Sequence, residues 1–162
     1  MVLRAPVPAD APVVAEYHHR CWVLAFSSLF EPGVVAGLDP RRRLWLFELW
    51  FAPDQDEVTT VVAEVDGTVV GHATVGGKEV IHLFVDPDHW GRGIGRMLLA
   101  EAERRLAAAG VAQAELHTMV GNAPAIELYE RAGWTLTDRI VHSEVEDVAY
   151  DEHVLTKDLA RH

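Results

Sequence analysis

A mixed α/β domain is the fold class that the sequence predicts, and three observations support it. Two segments with helical spacing of apolar residues come first, and two β-branched runs then meet at Asp66-Gly67, a dipeptide typical of tight hairpins. Beyond the hairpin, strand-like and helix-like segments alternate, which is the pattern of a sheet covered by helices. The 162 residues contain no linker, repeat or low-complexity stretch, so we interpret residues 1–162 as a single domain.

The N-terminal third predicts one short strand followed by two helices. Residues 2–5 favour a strand, and Asp10 is placed to cap a helix that runs to about Phe26. Residues 39–51 favour a second helix, with Asp39 as its cap. The aromatic residues of this region are dense, and we expect them to supply core and one wall of a pocket; they are Trp22, Phe26, Phe30, Trp45, Phe47, Trp50 and Phe51.

The other elements follow from periodicity and from turn residues. Gly110 and Gly133 are expected to end two helices, because glycine is favoured at the position after a helix C-terminus. The predicted strands are residues 59–65, 68–75, 79–85 and 112–119 with final strands from Trp134 to near Thr156, and the predicted helices are residues 94–109 and 122–131.

Composition excludes several classes of partner. The formal net charge is −11, from 25 acidic against 14 basic residues, so the field of the chain would repel a nucleic acid and attract a cationic small molecule. No apolar run approaches the roughly 18 residues of a membrane span, and the first residues lack the apolar stretch of a signal peptide. The single cysteine, Cys21, fits a reducing compartment. We therefore expect a soluble cytoplasmic protein without nucleic-acid or membrane partners.

Nine histidines raise the question of a metal site. His18 and His19 are adjacent and cannot share one helix face, and the sequence contains no His-x-x-x-His or cysteine-containing ligand set. It also lacks the Gly-x-Ser-x-Gly turn of a serine hydrolase. The sequence thus predicts neither a metal cofactor nor hydrolase chemistry.

A glycine-rich turn, Gly91 to Gly95, precedes a helix that has no capping side chain. The N-terminus of a helix carries unpaired amide groups and about half a positive charge, and alternate glycines leave those amides open to an anion. Phosphate binding is expected there, with Arg96 adding a cationic contact. The turn lacks the lysine of a P-loop, and it lies too far from its strand and too late in the chain for a dinucleotide-binding fold.

Two segments resemble the GNAT superfamily of acetyl-CoA-dependent N-acyltransferases. LFVDPDHWGRGIGRMLL is similar to that family's strand, phosphate-binding turn and helix, with Trp90 where the family usually has glutamine or arginine. GNAPAIELYERAGW is similar to its Asn-x-x-Ala-x-x-x-Tyr-Glu-x-x-Gly-Phe pattern, with Asn122 and Tyr129 in place and Trp134 instead of phenylalanine. The resemblance implies the GNAT fold, a central, mostly antiparallel mixed sheet of six to seven strands flanked by about four helices.

The same resemblance implies that the chain binds acetyl-CoA and transfers its acetyl group to an amine by direct attack. The pyrophosphate would lie on the amides of the glycine-rich turn, and Asn122 would bond the pantetheine arm. Tyr129 would protonate the departing thiolate, a task to which a phenol is suited. The residues implied in cofactor binding are Leu83, Phe84, Val85, Gly91, Arg92, Gly93, Ile94, Gly95, Arg96, Asn122 and Tyr129.

Several groups remain candidates for the base that takes the proton of the amine. Glu79 and His117 stand where branches of the family have a catalytic glutamate, and His82 lies on the same strand as Glu79. A histidine titrates near neutrality, and a water relay would also serve. The expected acceptor is a primary amine of a small cationic molecule or of a peptide. The alternative is a non-catalytic module that only binds acetyl-CoA, and the resemblance further implies a homodimer.

Overall fold

The computed structural model describes residues 1–160, and within that range it has seven strands, four α-helices and three short 3₁₀ turns. The strands are β1 (Val2–Arg4), β2 (Thr59–Val65), β3 (Thr68–Gly76), β4 (Glu79–Val85), β5 (Gln113–Met119), β6 (Thr135–Val145) and β7 (Val148–Asp158). The helices are α1 (Ala11–Phe26), α2 (Pro40–Trp50), α3 (Ile94–Ala108) and α4 (Ala123–Arg131). Every predicted strand and helix is present, with ends that differ by one or two residues.

All seven strands form one sheet in the order β1-β2-β3-β4-β5-β7-β6. Neighbouring strands are antiparallel except β4 and β5, which run parallel. The predicted mixed α/β class, with a mostly antiparallel sheet of six to seven strands and about four helices, is therefore confirmed. None of the helices in residues 1–160 combines the length and the apolar character needed to cross a bilayer.

The hairpin between β2 and β3 turns at the predicted dipeptide. Asp66 and Gly67 have φ of 50° and 81°, so both central residues of the turn are left-handed. This geometry matches the right-handed twist of the flanking strands, and Asp-Gly adopts it at low cost. The prediction of a tight hairpin is confirmed.

The two predicted helix caps have different outcomes. Asp39 caps α2 as expected, because its carboxylate accepts a hydrogen bond from the amide of Arg41 at 2.9 Å. Asp10 is the N-cap residue of α1 as predicted, but its side chain does not cap the helix: its carboxylate accepts from the amide of Val7 at 2.8 Å and pairs with Arg4, also at 2.8 Å. The cationic partner and the upstream amide occupy the oxygens that would otherwise cap α1.

The core lies on both faces of the sheet. On one face, α3 and α4 pack over the central strands, with Leu98, Leu116 and Leu155 almost fully buried. On the other face, α1 and α2 pack together, with Tyr17 and Phe47 fully buried. Within the sheet, a path from one face to the other must therefore pass between two strands.

The parallel strands β4 and β5 are paired at only one end. Their register covers Glu79↔Glu115 and Val80↔Leu116 and then stops. Beyond Val80, β4 has a strand partner on its β3 side only. The sheet is consequently split along the rest of β4.

A β-bulge lies where this pairing ends. Thr74 opposes His82 and Val75 opposes Val80, so Ile81 is the extra residue of β4. Bulges bend their strand and increase its twist, which directs the rest of β4 away from β5. The bulge and the loss of pairing together open the sheet.

Candidate active site

A cleft of about 1500 Å³ occupies the gap between β4 and β5. Its lining comes from the glycine-rich turn, α3 and α4 on one face of the sheet, and from α1, α2 and the β6–β7 hairpin on the other. Pockets for one small ligand measure roughly 300–1,000 Å³. The cleft therefore has room for two reactants that meet where the sheet is split.

The glycine-rich turn presents backbone amides to this cleft. Gly91 and Gly93 have φ of 76° and 79°, a conformation that glycine adopts without strain. Gly93 is the N-cap of α3 and supplies no capping side chain, and the first backbone bond of the helix joins the Met97 amide to the Gly93 carbonyl at 3.1 Å. The amides of residues 94–96 thus have no acceptor inside the helix and are available to an anion.

The predicted residues of the turn do not all reach the cleft. Arg92 is exposed and lies outside the lining. Trp90, the departure from the family pattern, donates from Nε1 to the carbonyl of Val85 at 2.8 Å and so ties the turn to the end of β4. The residues of the turn that do line the cleft are Gly91, Gly93, Ile94, Gly95 and Arg96.

The unpaired edge of β4 contributes the predicted residues Leu83, Phe84 and Val85 to the lining. The carbonyl of Val85 already accepts from Cys21 Sγ at 3.1 Å as well as from Trp90. On the side that faces β5, the β4 backbone lacks a strand partner from the bulge up to this carbonyl. An extended ligand that lay there would replace the missing strand.

Asn122 and Tyr129 line the cleft from α4. Asn122 is the residue before the helix, and its side chain does not cap it. Tyr129 is 8% exposed, and burial raises its pKa to about 12. The phenol consequently stays protonated at neutral pH, and its hydroxyl donates to no other group in residues 1–160. Among the described residues it is therefore a proton donor without an acceptor.

Glu79 and His117 meet at the end of the cleft where β4 and β5 are still paired. His117 Nε2 lies 3.0 Å from Glu115 Oε1, and His117 Nδ1 lies 3.8 Å from Glu79 Oε1. The hydrogen bond from His117 holds the pKa of Glu115 at about 2, so Glu115 is an anion that can only accept. The hydrogen bond to Glu115 places a ring proton on His117 Nε2, and His117 Nδ1 faces Glu79, whose pKa burial raises.

His82, the third candidate, belongs to a buried cluster of rings. Its Nδ1 lies 3.1 Å from His72 Nε2, and Tyr17 Oη lies 2.6 Å from His72 Nδ1. Burial lowers the pKa of His82 to about 3, which makes it a poor acceptor for the proton of an amine. Within the part of the chain that the structure describes, no three His, Cys, Asp or Glu side chains are arranged to hold a metal ion.

Sequence reasoning missed two polar residues of the cleft, His18 on α1 and Arg43 on α2. Both are buried, and Arg43 Nη1 lies 2.8 Å from His18 Nδ1. A signal was present only for His18, which shares a helix face with the apolar Val14 and Cys21, whereas Arg43 is the last of three consecutive arginines. The sequence could not pair them, since they are 25 positions apart on different helices.

With this geometry in hand, comparison with known proteins identifies the family. Residues 14–134 match the model of the acetyltransferase (GNAT) family. The chain belongs to this family. The resemblance inferred from the glycine-rich turn and from the segment around Tyr129 is confirmed.

Sequence relatives come from several bacteria. The chain is 37% identical over 114 residues to a mycothiol acetyltransferase of Clavibacter michiganensis, a match that covers 68% of this chain and 36% of that protein. It is 35% identical over 127 residues to the mycothiol acetyltransferase of Saccharopolyspora erythraea, covering 75% and 39%. The chain thus matches less than half the length of these relatives.

Solved structures share the fold over nearly the whole chain. A PaiA N-acetyltransferase of Thermoplasma acidophilum, in complex with coenzyme A, superposes with a TM-score of 0.79 at 17% identity and covers 97% of this chain and 98% of that one. A putative acetyltransferase of Salmonella typhimurium with acetyl-CoA gives a TM-score of 0.73 at 21% identity, covering 100% and 95%. At these identities the likeness concerns the fold.

Because several histidines are buried, we expect the free energy of unfolding to fall in mild acid. Burial lowers the pKa of His18 and of His72 well below the ordinary value, whereas both titrate near 6.5 in the unfolded chain. Below about pH 6.5 the unfolded state binds more protons, so the free energy of unfolding should fall by up to about 1.4 kcal/mol per pH unit for each histidine. Urea unfolding at several pH values between 7 and 5 measures the slope.

The exposed His142 provides the control for that experiment. His142→Gln should unfold with the parent's dependence on pH. A free energy of unfolding that stays constant from pH 7 to pH 5 would contradict the assignment of His18 and His72 as neutral in the fold.

Proposed function

We propose that the protein transfers the acetyl group of acetyl-CoA to a primary amine of a small molecule or peptide by direct attack. The observation that carries this proposal is that three kinds of group line one cleft: open amides at the start of α3, a protonated phenol, and a histidine oriented by a carboxylate. Membership of the acetyltransferase family supports the reaction class. The structural relatives that carry coenzyme A or acetyl-CoA support the donor.

The donor would lie across the α3 end of the cleft. Its pyrophosphate is an anion, and the amides of residues 94–96 together with Arg96 provide the matching positive potential. Its pantetheine arm carries amide groups that fit the unpaired edge of β4 beside Leu83 and Phe84. Asn122 lies in the same lining and would bond the arm from the α4 side.

The reaction needs three proton transfers, two from the amine nitrogen and one to the sulfur. His117 Nδ1 takes a proton from the ammonium form of the acceptor, because an amine with pKa about 10 attacks only when neutral. The amine nitrogen then forms a bond to the thioester carbonyl carbon, and the carbon–sulfur bond breaks. The sulfur leaves as a thiolate and takes the proton of the Tyr129 hydroxyl. The attacking nitrogen, which is positively charged once its bond to carbon has formed, gives its second proton to the tyrosinate, so that the amide is neutral and Tyr129 is protonated again. Glu79, beside His117 Nδ1, stabilises the imidazolium that forms.

The names of the sequence relatives do not identify the acceptor of this chain. The match covers 36% of the Clavibacter protein, so the activity in its name belongs to a longer chain. What supports an amine acceptor here is the base in the cleft, since a histidine at that point serves to deprotonate an attacking group. The cleft walls on the α1 and α2 side then select among amines.

Acetyl-CoA is expected to raise the melting temperature, because it binds the folded state only. At a hundredfold excess over its Kd the gain is about 2.7 kcal/mol. Differential scanning fluorimetry with and without millimolar acetyl-CoA measures it. A carboxylate at Gly93 would compete with the pyrophosphate, so Gly93→Asp should abolish the shift. An added Cβ there meets nothing within 4 Å, but the positive φ of 79° makes the substitution strained, so the variant's own melting temperature should be lower.

Gly110 offers a matched control at the other end of α3. It also has a positive φ, of 86°, and an added Cβ has nothing within 4 Å. Gly110→Asp should keep the shift caused by acetyl-CoA, whatever its own melting temperature. An unchanged melting curve of the parent protein would remove both catalysis and simple acetyl-CoA binding from consideration.

Replacing Tyr129 by phenylalanine tests the proton donor. Tyr129→Phe should lower kcat by roughly 10²-fold to 10⁴-fold, because the thiolate then leaves without a proton. The thermal shift caused by acetyl-CoA should stay as in the parent, since the ring and its packing remain. Release of the CoA thiol measures kcat. A variant that turns over at the parent rate would exclude Tyr129 as the acid.

Replacing His117 by glutamine tests the base. At neutral pH, His117→Gln should lower kcat/KM by on the order of 10²-fold. The deficit should shrink as the pH approaches about 10, because the acceptor then loses its proton in solution. His142→Gln serves as the control and should keep the parent profile. A constant deficit at every pH would point to a structural role for His117.

A further inference from the structure

The cleft contains a buried guanidinium that no carboxylate contacts. Arg43 is 8% exposed, and its one hydrogen bond among the described residues runs from Nη1 to His18 Nδ1, 2.8 Å away. Its Cζ lies 5.4 Å from the centre of the Trp22 ring. An arginine side chain keeps its charge in proteins, so this site holds a positive charge away from water. Burial lowers the pKa of Arg43, and the charge of the Glu146 carboxylate opposes part of that shift without forming an ion pair with the guanidinium. A buried charge without an ion-pair partner is costly, which makes the arrangement a candidate for a ligand site.

The hydrogen bond to Arg43 fixes the protonation of His18. A guanidinium only donates, so His18 Nδ1 must accept. Burial lowers the pKa of His18 well below its ordinary value, which keeps the ring neutral and leaves its proton on Nε2. The Nε2–H group of His18 is then a donor, and it has no partner in the described part of the chain.

Three donors in this corner of the cleft are buried and unpaired. They are Arg43 Nε, Trp22 Nε1 and His18 Nε2, and none finds an acceptor within residues 1–160. All three side chains line the cleft, and each is at least nine-tenths buried. Neighbouring atoms cover the three donor atoms themselves, so a ligand reaches them only when these side chains shift. Several N–H donors around one positive charge match a group that only accepts hydrogen bonds and carries a negative charge. A carboxylate has that chemistry, with two oxygens and about four lone-pair sites.

Carboxylates of the protein itself line other parts of the cleft. They are Glu79, Glu144, Glu146 and Glu152, contributed by β4, the β6–β7 turn and the adjoining strands. Glu146 is engaged elsewhere: its two oxygens accept from the amide of Asp39 at 3.1 and 3.0 Å. The cleft therefore has an acidic region, suited to an ammonium group, and next to it a cationic corner at Arg43, on which Glu146 acts without an ion pair.

The geometry points to an acceptor that carries a carboxylate as well as its amine, with the carboxylate bound at Arg43, Trp22 and His18. This inference rests on the proposed acetyl transfer and narrows its substrate to amino acids and related amino-carboxylates. It differs from the purely cationic acceptor that the net charge of the chain suggests. The aromatic rings that line the same part of the cleft favour an acceptor with an apolar or aromatic body; they are Trp22, Phe26, Phe84 and Tyr150.

A matched pair of probes tests the carboxylate site without requiring turnover. Phenylacetate and phenylacetamide have the same shape, and only the first carries the negative charge. Isothermal titration into protein saturated with CoA should detect phenylacetate binding, and phenylacetamide should bind on the order of 10-fold to 100-fold more weakly. Equal binding of the two probes, or no binding of phenylacetate up to about 10 mM, would overturn the inference.

Variants at Arg43 and at its neighbour assign the binding to the buried guanidinium. Arg43→Met keeps the apolar stem and should weaken phenylacetate binding by on the order of 10-fold to 100-fold. Arg42→Met is the control, because Arg42 also lines the cleft but is solvent-exposed, and it should bind phenylacetate like the parent. Arg43→Lys, which keeps the charge and loses the fork of donors, should give an intermediate affinity. Unchanged binding in Arg43→Met would overturn the inference.

Melting temperatures separate a ligand role of Arg43 from a structural one. Replacing an unpaired buried charge by an apolar side chain of similar length should leave the melting temperature equal or higher. A markedly lower melting temperature of Arg43→Met, with phenylacetate binding retained, would mean that the guanidinium serves the fold. Acetyl-CoA should raise the melting temperature of the parent and of Arg43→Met by the same amount. If acetyl-CoA stabilises neither protein, the proposed donor site is wrong, and this result is distinct from a loss of phenylacetate binding at Arg43.

The KM values of three related amines test whether the same carboxylate site binds substrates. Phenylalanine, phenylalaninamide and phenethylamine share one amine-bearing body and differ in the carboxylate. The acid should have the lowest KM of the three, and Arg43→Met should remove that preference with little change in kcat. A parent protein that acetylates the amide or the simple amine with the lower KM would contradict the inference.

Discussion

The architecture of the site depends on the early end of the β4–β5 pairing. Two residue pairs hold the parallel strands together, and the bulge at Ile81 then turns β4 away. A sheet normally satisfies its own backbone groups, so an interrupted one offers a ready-made edge to an extended ligand. The same interruption opens a passage between the two layers of helices. Without it, the start of α3 and the polar groups of α1 and α2 would lie on opposite sides of a continuous sheet.

The two halves of the cleft use different kinds of positive potential. On the α3 side the potential comes from backbone amides at a helix N-terminus, and it needs no particular side chain beyond glycines that stay out of the way. On the other side it comes from the side chain of Arg43, supported by a neutral histidine and an indole. The protonated phenol of Tyr129 and the imidazole of His117 line the same cleft.

The sequence predicted the parts of this arrangement that are local in the chain. The Asp66-Gly67 turn, the cap at Asp39 and the glycines before α3 are encoded within a few residues, and all three have the expected geometry. Asp10 shows the limit of such rules, because Arg4 competes for the same carboxylate. The corner at Arg43 could not be predicted, since it joins side chains from two helices whose packing is decided by the whole core. The sequence also could not predict where the β4–β5 pairing ends, because register and bulges depend on tertiary pairing.

The reactivity of Cys21 reports on the contact between α1 and the end of β4. Its thiol donates to the Val85 carbonyl, and burial raises its pKa to about 12, so the folded protein presents almost no thiolate to alkylating or oxidising reagents. Any rapid labelling of native protein would therefore mark moments when α1 lifts away from the end of β4. Labelling rates at Cys21 would thus measure local opening beside the cleft, on a residue that is already present in the chain.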